Sequence, residues 1–200
     1  MDKMKPTKGQ YVETILRSPH TVFSTSDAAL LWGEDNEITI TNRLHKYVMA
    51  KKLVRIRRGI YGKDEDYDRF EMATRIYTPS YISFETVLTR SGINFQYYET
   101  IFAASYLTRD IEVNGQKISF VRMRRDIFSD VTGINHSTGV AMATKERAFL
   151  DRIYITKDYH FDNLDVLDWE KVFEILPIYH SKKMEKKVKE YYDYYQSAKI

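Results

Sequence analysis

The sequence predicts an α+β chain in two parts. A small helical unit ending in a basic β-hairpin comes first, and a mixed α/β unit with a small sheet and C-terminal helices follows it. Three observations predict this. Apolar residues recur at helical spacing through residues 10 to 51. Period-two alternation follows in Leu53-Val54-Arg55-Ile56-Arg57. Strand-like runs then collect between residues 101 and 143, before helical periodicity returns from residue 145.

Charge marks the same division. Residues 38 to 63 carry eight Lys/Arg and no acid. The 200-residue chain has a formal net charge of only +3, so the rest of it sums to −5. A local cationic stripe on an acidic chain suits a polyanion, although a charge run is also the ordinary wet face of a helix. The acidic segment Asp64-Glu65-Asp66-Tyr67-Asp68 reads as a connection, which places the two domains at residues 1–63 and 64–200. No apolar run approaches the ~18 residues of a membrane span, and the first ten residues lack the apolar stretch of a secretory signal, so a cytoplasmic protein without membrane contact is expected. Zero cysteines exclude disulfides and thiolate metal sites.

Within the first domain, Tyr11, Ile15 and Leu16 define a helix that Ser18-Pro19 stops, because a residue preceding proline is pushed out of helical geometry. Val22-Phe23 supplies a brief strand. Ser24, Thr25, Ser26 and Asp27 offer caps to a second helix through Ala28, Leu30, Leu31 and Trp32, ending at Gly33. A third helix over residues 39 to 51 buries Ile40, Leu44, Tyr47 and Val48. That stripe turns Asn42, Arg43, Lys46 and Met49 outward, with Thr39, Thr41 and His45 at the edges. Arg58-Gly59 then turns the chain between two short strands, giving a hairpin tipped with arginine.

Three helices followed by such a hairpin is the order of a winged helix-turn-helix, whose third helix enters the DNA major groove while the wing grips the backbone. Helix and wing together favour nucleic acid over a merely solvated face. Asn42, Arg43 and Lys46, with Thr39 or Thr41, are expected to meet base edges. Arg55, Arg57, Arg58 and Lys63 are expected to meet phosphates, which give affinity without direct readout. His45 is either a proton-dependent phosphate contact or an ordinary surface residue.

In the second domain, Phe70, Ala73 and Ile76 predict a helix, a Thr78-Pro79 break leads into Tyr81-Ile82-Ser83, and Ser83 offers a cap to a helix that Gly92 ends. The Asn114-Gly115 pair joins Ile111-Glu112-Val113 to a strand over residues 117 to 123. Thr144 caps a helix over residues 145 to 155, and two more helices, residues 169 to 176 and 182 to about 195, close the chain. Glu85 and Glu146 suit positive helix N-termini, Asp151 is expected to pair with a nearby cation, and Arg122, Arg124 and Arg125 read as surface ion pairs or as an auxiliary contact with DNA or a partner.

The five histidines are scattered, with no H-E-x-x-H spacing, no phosphate-binding glycine loop and no G-x-S-x-G turn. A non-enzyme without cofactor or metal is therefore expected.

Three blocks carry a resemblance. The segment Leu53-Val54-Arg55-Ile56-Arg57-Arg58-Gly59-Ile60-Tyr61, then Pro79-Ser80-Tyr81-Ile82-Ser83-Phe84-Glu85 with Leu88 and Gly92, then Ala143-Thr144-Lys145-Glu146-Arg147-Ala148-Phe149-Leu150-Asp151, resembles the AbiEi family of abortive-infection antitoxins. The resemblance covers about residues 10 to 155 and implies a winged-helix DNA-binding domain followed by an α/β antitoxin domain. It further implies a repressor of its own type IV toxin-antitoxin operon, binding double-stranded DNA at inverted repeats. Such a protein counteracts a nucleotidyltransferase-like toxin without a required direct contact. Family members often have glycine between the third helix and the wing, where this chain has Lys51-Lys52. Two alternatives stand beside this reading: a winged-helix regulator whose second domain binds a ligand or mediates assembly, and a nucleic-acid-processing enzyme.

Overall fold

The computed structural model describes residues 10 to 136, 139 to 156 and 158 to 197. The first nine residues of the expected first domain lie outside them. The architecture is mixed α and β with two sheets, and the chain divides into two compact units, Met1–Thr78 and Pro79–Ile200.

The first unit runs α1 (Gln10–Arg17), β1 (Val22–Ser24), α2 (Thr25–Trp32), α3 (Glu37–Met49), β2 (Val54–Arg57), β3 (Ile60–Gly62) and α4 (Arg69–Ile76). Its sheet has the antiparallel order β1-β3-β2. Ser24 and Asp27 form a reciprocal capping box at α2, and Gly33 closes that helix in the left-handed conformation at φ 58°. Asn36 caps α3 by accepting from the Thr39 amide at 2.9 Å. The core gathers Val12, Ile15, Phe23, Ala28, Trp32, Ile40, Leu44, Leu53 and Tyr61 from α1, β1, α2, α3 and the hairpin. Leu30, read from the sequence as part of the second helix's apolar run, is instead 75% exposed.

The expected border at Lys63 falls inside this unit, because the acidic segment does not release the chain. Tyr67 is buried, Asp68 caps α4 by accepting from the Phe70 and Glu71 amides, and the buried Glu71 carboxylate of α4 accepts from Thr21 N, Thr21 Oγ1 and Val22 N at 2.7, 2.7 and 3.2 Å. Burying a polar group without partners is costly, and these donors satisfy the Glu71 carboxylate, so α4 is tied to β1 and the unit extends to Thr78.

The second unit runs β4 (Ser80–Ile82), α5 (Phe84–Arg90), β5 (Ile101–Ser105), β6 (Arg109–Val113), β7 (Gln116–Arg122), α6 (Arg125–Ser129), β8 (Ile134–Asn135), β9 (Met142–Ala143), α7 (Lys145–Ile155), α8 (Trp169–Ile175), a 3-10 turn (Leu176–Tyr179) and α9 (Lys182–Ser197). Its mixed sheet has the order β6-β7-β5-β4-β9-β8, with β4 parallel to β9 and β5 parallel to β7. Ser83 stands at the N-cap position of α5, but its side chain makes no capping hydrogen bond there. Its hydroxyl lies 2.8 Å from Asp151 of α7, and the following residue, Phe84, carries the positive φ of 54° that starts the helix.

Candidate nucleic-acid interface

The nine residues expected to touch DNA divide into two groups. Thr41, Asn42 and Lys46 are exposed on the outer face of α3, and Arg55, Arg57 and Arg58 are exposed on the hairpin. Among the described residues, none of these four cations takes part in an ion pair or side-chain hydrogen bond. Lys51 and Lys52, at the turn between helix and hairpin, are likewise exposed and unpaired. Both belong to the eight-cation stripe of residues 38 to 63, and their exposure adds them to the residues open to contact.

The other three are engaged locally. Thr39 is half-buried, and its amide is held by the Asn36 cap. Lys63 donates from Nζ to the Ser18 carbonyl, so its cation neutralises the C-terminal end of α1 instead of standing free. Arg43, expected to project outward, packs back across the unit. Its guanidinium carbon lies 3.6 Å from the centre of the Tyr11 ring and 5.2 Å from that of Trp32, and its Nη1 is buried without a hydrogen-bond partner. Helical geometry explains this, since Arg43 follows Ile40 by three residues and precedes Tyr47 by four, which places it on the border of the buried stripe. The same corner is built from Tyr11, Trp32 and Tyr47 in edge contacts, with Trp32 Nε1 donating to Tyr11 O at 2.8 Å. Burial raises the Tyr47 hydroxyl pKa, against the opposing pull of the Arg43 charge.

Two local devices fix the helix and hairpin. At the end of α3, Lys52 N donates to Tyr47 O and Lys51 N to Val48 O, both at 2.9 Å, which is the Schellman arrangement. It requires a left-handed residue, and Lys51 takes that role at φ 55°. In the hairpin, Arg55 faces Tyr61 and Arg57 faces Ile60, so Ile56 is an extra residue that makes a β-bulge and is itself buried. The tip is anchored, because the Gly59 carbonyl accepts from Thr25 N at 3.0 Å. Gly59 has φ 79°, a conformation that suits glycine.

In the second unit the corresponding chemistry is internal. Asp151 and Arg147 of α7 form a wholly buried ion pair at 3.1 Å. The Asp151 carboxylate also accepts from Tyr81, Ser83 and Tyr179 hydroxyls at 3.1, 2.8 and 2.7 Å. Arg147 further donates to the carbonyls of Thr132 and Ile127, each at 2.8 Å. Burial, then the nearby Asp151 charge, raises both tyrosine pKa values well above the usual range. Burial is the strongest single influence on Arg147 and opposes its charge, but Asp151, Tyr179 and Tyr81 together more than offset it and hold the guanidinium protonated. Glu85 lies in the first turn of α5, as expected, and is also buried against Arg152 in an ion pair at 3.1 Å.

No protein-family model matches this chain, and no curated protein sequence does. Among the described residues, no group of three or more His, Cys, Asp or Glu is placed to hold a metal ion, and no helix is long and apolar enough to cross a membrane.

Proposed function

We propose that this protein is a DNA-binding transcriptional repressor and antitoxin of a type IV toxin-antitoxin pair, autoregulating its operon and counteracting a nucleotidyltransferase-like toxin. The order α1-β1-α2-α3-β2-β3, with the hairpin tip anchored to α2, supports reading the first unit as a winged helix-turn-helix. One observation carries the DNA reading. The outer face of α3 and the adjoining hairpin present Asn42, Lys46, Arg55, Arg57 and Arg58 exposed and unpaired, while Lys63 and Arg43 are held by the unit itself. Asn42 and Lys46 serve as base readers and the hairpin arginines as phosphate contacts. The antitoxin reading rests on the resemblance to AbiEi proteins. It is supported by the meeting of two of the resembling blocks, Tyr81 and Ser83 with Arg147 and Asp151, in one buried network.

The test is a gel shift with the protein's own promoter against random duplex. A retarded band with the promoter is expected, and Asn42→Ala is expected to reduce the preference by about 1–3 kcal/mol. No shift with the promoter or its close variants rejects the repressor. Co-expression with the neighbouring gene product tests the antitoxin separately: cells survive that product only when this protein is present.

A second reading, a winged-helix regulator whose second unit binds a ligand and lacks antitoxin activity, is favoured by one observation. A cavity of about 800 Å³ opens beside Arg122 and Arg125.

A further inference from the structure

We propose that the cavity in the second unit is a binding site for a nucleoside phosphate. It lies where β7 gives way to α6, and its volume of about 800 Å³ falls in the range of small-molecule sites, roughly 300–1,000 Å³. The period-two pattern of β7 ends in Arg122, buries Met123, and then presents Arg124 and Arg125 at the start of α6. Three arginines thus line one concavity.

They are not equivalent. Arg124 is committed, with Nε 2.6 Å from Asp126 Oδ1 and Nη2 donating to the Tyr179 carbonyl at 3.3 Å. Arg122 and Arg125 make no side-chain hydrogen bond or ion pair among the described residues. Asp130 also lines the cavity, but its Oδ1 accepts from Thr132 N at 2.8 Å. Two free guanidinium groups beside a third fixed one form a receptor for phosphate oxygens, which a planar fork can meet in pairs.

The rest of the lining calls for a different part of the ligand. Tyr106 is 49% exposed, and Phe128 stacks on Tyr81 with ring centres 5.8 Å apart and planes 17° from parallel. The Tyr81 hydroxyl is held by Asp151, so that stacked pair is fixed in place. Val131, 69% exposed, adds apolar surface. Inorganic phosphate leaves these rings unused, and a neutral aromatic compound leaves the arginines unused. A duplex presents phosphates and keeps its bases stacked inside, so it too leaves Tyr106 and Phe128 without a partner. A heterocyclic base carrying phosphate satisfies both halves, with the base on an aromatic face and the phosphate on Arg122 and Arg125.

Titration calorimetry of the full chain with ATP, CTP, adenosine and pyrophosphate tests this. Saturable binding of at least one of the two triphosphates with Kd in the micromolar range is expected, with adenosine and pyrophosphate each at least about tenfold weaker. Arg122→Gln and Arg125→Gln should each weaken that nucleotide about tenfold, and Tyr106→Ala about fivefold, while cooperative melting is retained. Displacement of a fluorescent nucleotide from the wild-type protein by the unlabelled triphosphate supports the site without recourse to variants. The proposal is overturned if neither triphosphate saturates below about 1 mM, or if pyrophosphate binds as well as the triphosphates. It is equally overturned if Arg122→Gln and Arg125→Gln leave nucleotide binding intact and weaken only random duplex DNA.

Discussion

Arg43 lies with its guanidinium carbon 3.6 Å above the centre of the Tyr11 ring. A cation over an aromatic face, half shielded from water, is worth about 1–2 kcal/mol, and the aliphatic stem of Arg43 adds packing to the Trp32 corner. Arg43→Ala is therefore expected to lower unfolding free energy by about that amount and to weaken promoter and random DNA by similar factors. Denaturant unfolding beside two gel-shift titrations measures both, and a loss confined to promoter DNA would restore Arg43 to base reading.

Phosphate contacts release counterions, so each lost contact lowers the salt dependence of binding. Arg57→Ala and Arg58→Ala should each reduce the slope of log K against log[salt] by about 1. Lys63→Ala should leave it unchanged, because that cation is spent on the Ser18 carbonyl. A matching fall for Lys63→Ala would place the lysine on DNA after all.

A left-handed residue with a side chain is strained by roughly 1 kcal/mol or more relative to glycine, partly offset by glycine's greater freedom in the unfolded chain. Lys51→Gly, at φ 55°, should accordingly stabilise the first unit by about 0.5 kcal/mol while weakening DNA binding through the lost charge. Thermal melting and a gel shift should move in opposite directions.

Removing half of a buried ion pair leaves the other charge unpaired, at a cost of about 3–5 kcal/mol. Asp151→Asn should destabilise the second unit on that scale, because the Arg147 side chain is wholly buried. Urea unfolding reads the effect, and a change below about 1 kcal/mol would show that the carbonyl partners of Arg147 suffice.

The two buried tyrosines make a pH prediction. Tyr81 and Tyr179 ionise in the folded protein only well above the usual 10.0, so the unfolded chain loses those protons first as pH rises. Their contribution is complete below pH 10.0 and is lost above it, at about 1.4 kcal/mol per pH unit for each tyrosine. Unfolding free energy measured from pH 9 to 11.5 should fall accordingly, and Tyr81→Phe should make the fall shallower.

Much of this was legible in the sequence because local signals and tertiary demands agree. Periodicity located α1, α3 and α7, the Asn114-Gly115 pair located the β6-β7 hairpin, and Asp151 does pair with a cation. What escaped was set by distant partners. The domain border was misplaced because Asp64 to Asp68 looks like a linker until Glu71 is seen to hold β1. The short strand β8 owes its existence to its sheet neighbour more than to its own composition. In the first unit, the charged stripe was plain, but a side chain on the edge of a helical face can turn either way. Only the positions of Tyr11 and Trp32 decide the direction of Arg43.

Asp151 joins residues that stand 70 positions apart, Tyr81 at one end and the α7 pair at the other. Five side chains, Asp151 and Arg147 with Tyr81, Ser83 and Tyr179, form this one network, so a change at any of them alters the worth of the others. Substitutions there will be strongly epistatic: a variant tolerated in one background will be rejected in another. The route by which such a core drifts runs through coordinated replacements, not through single steps.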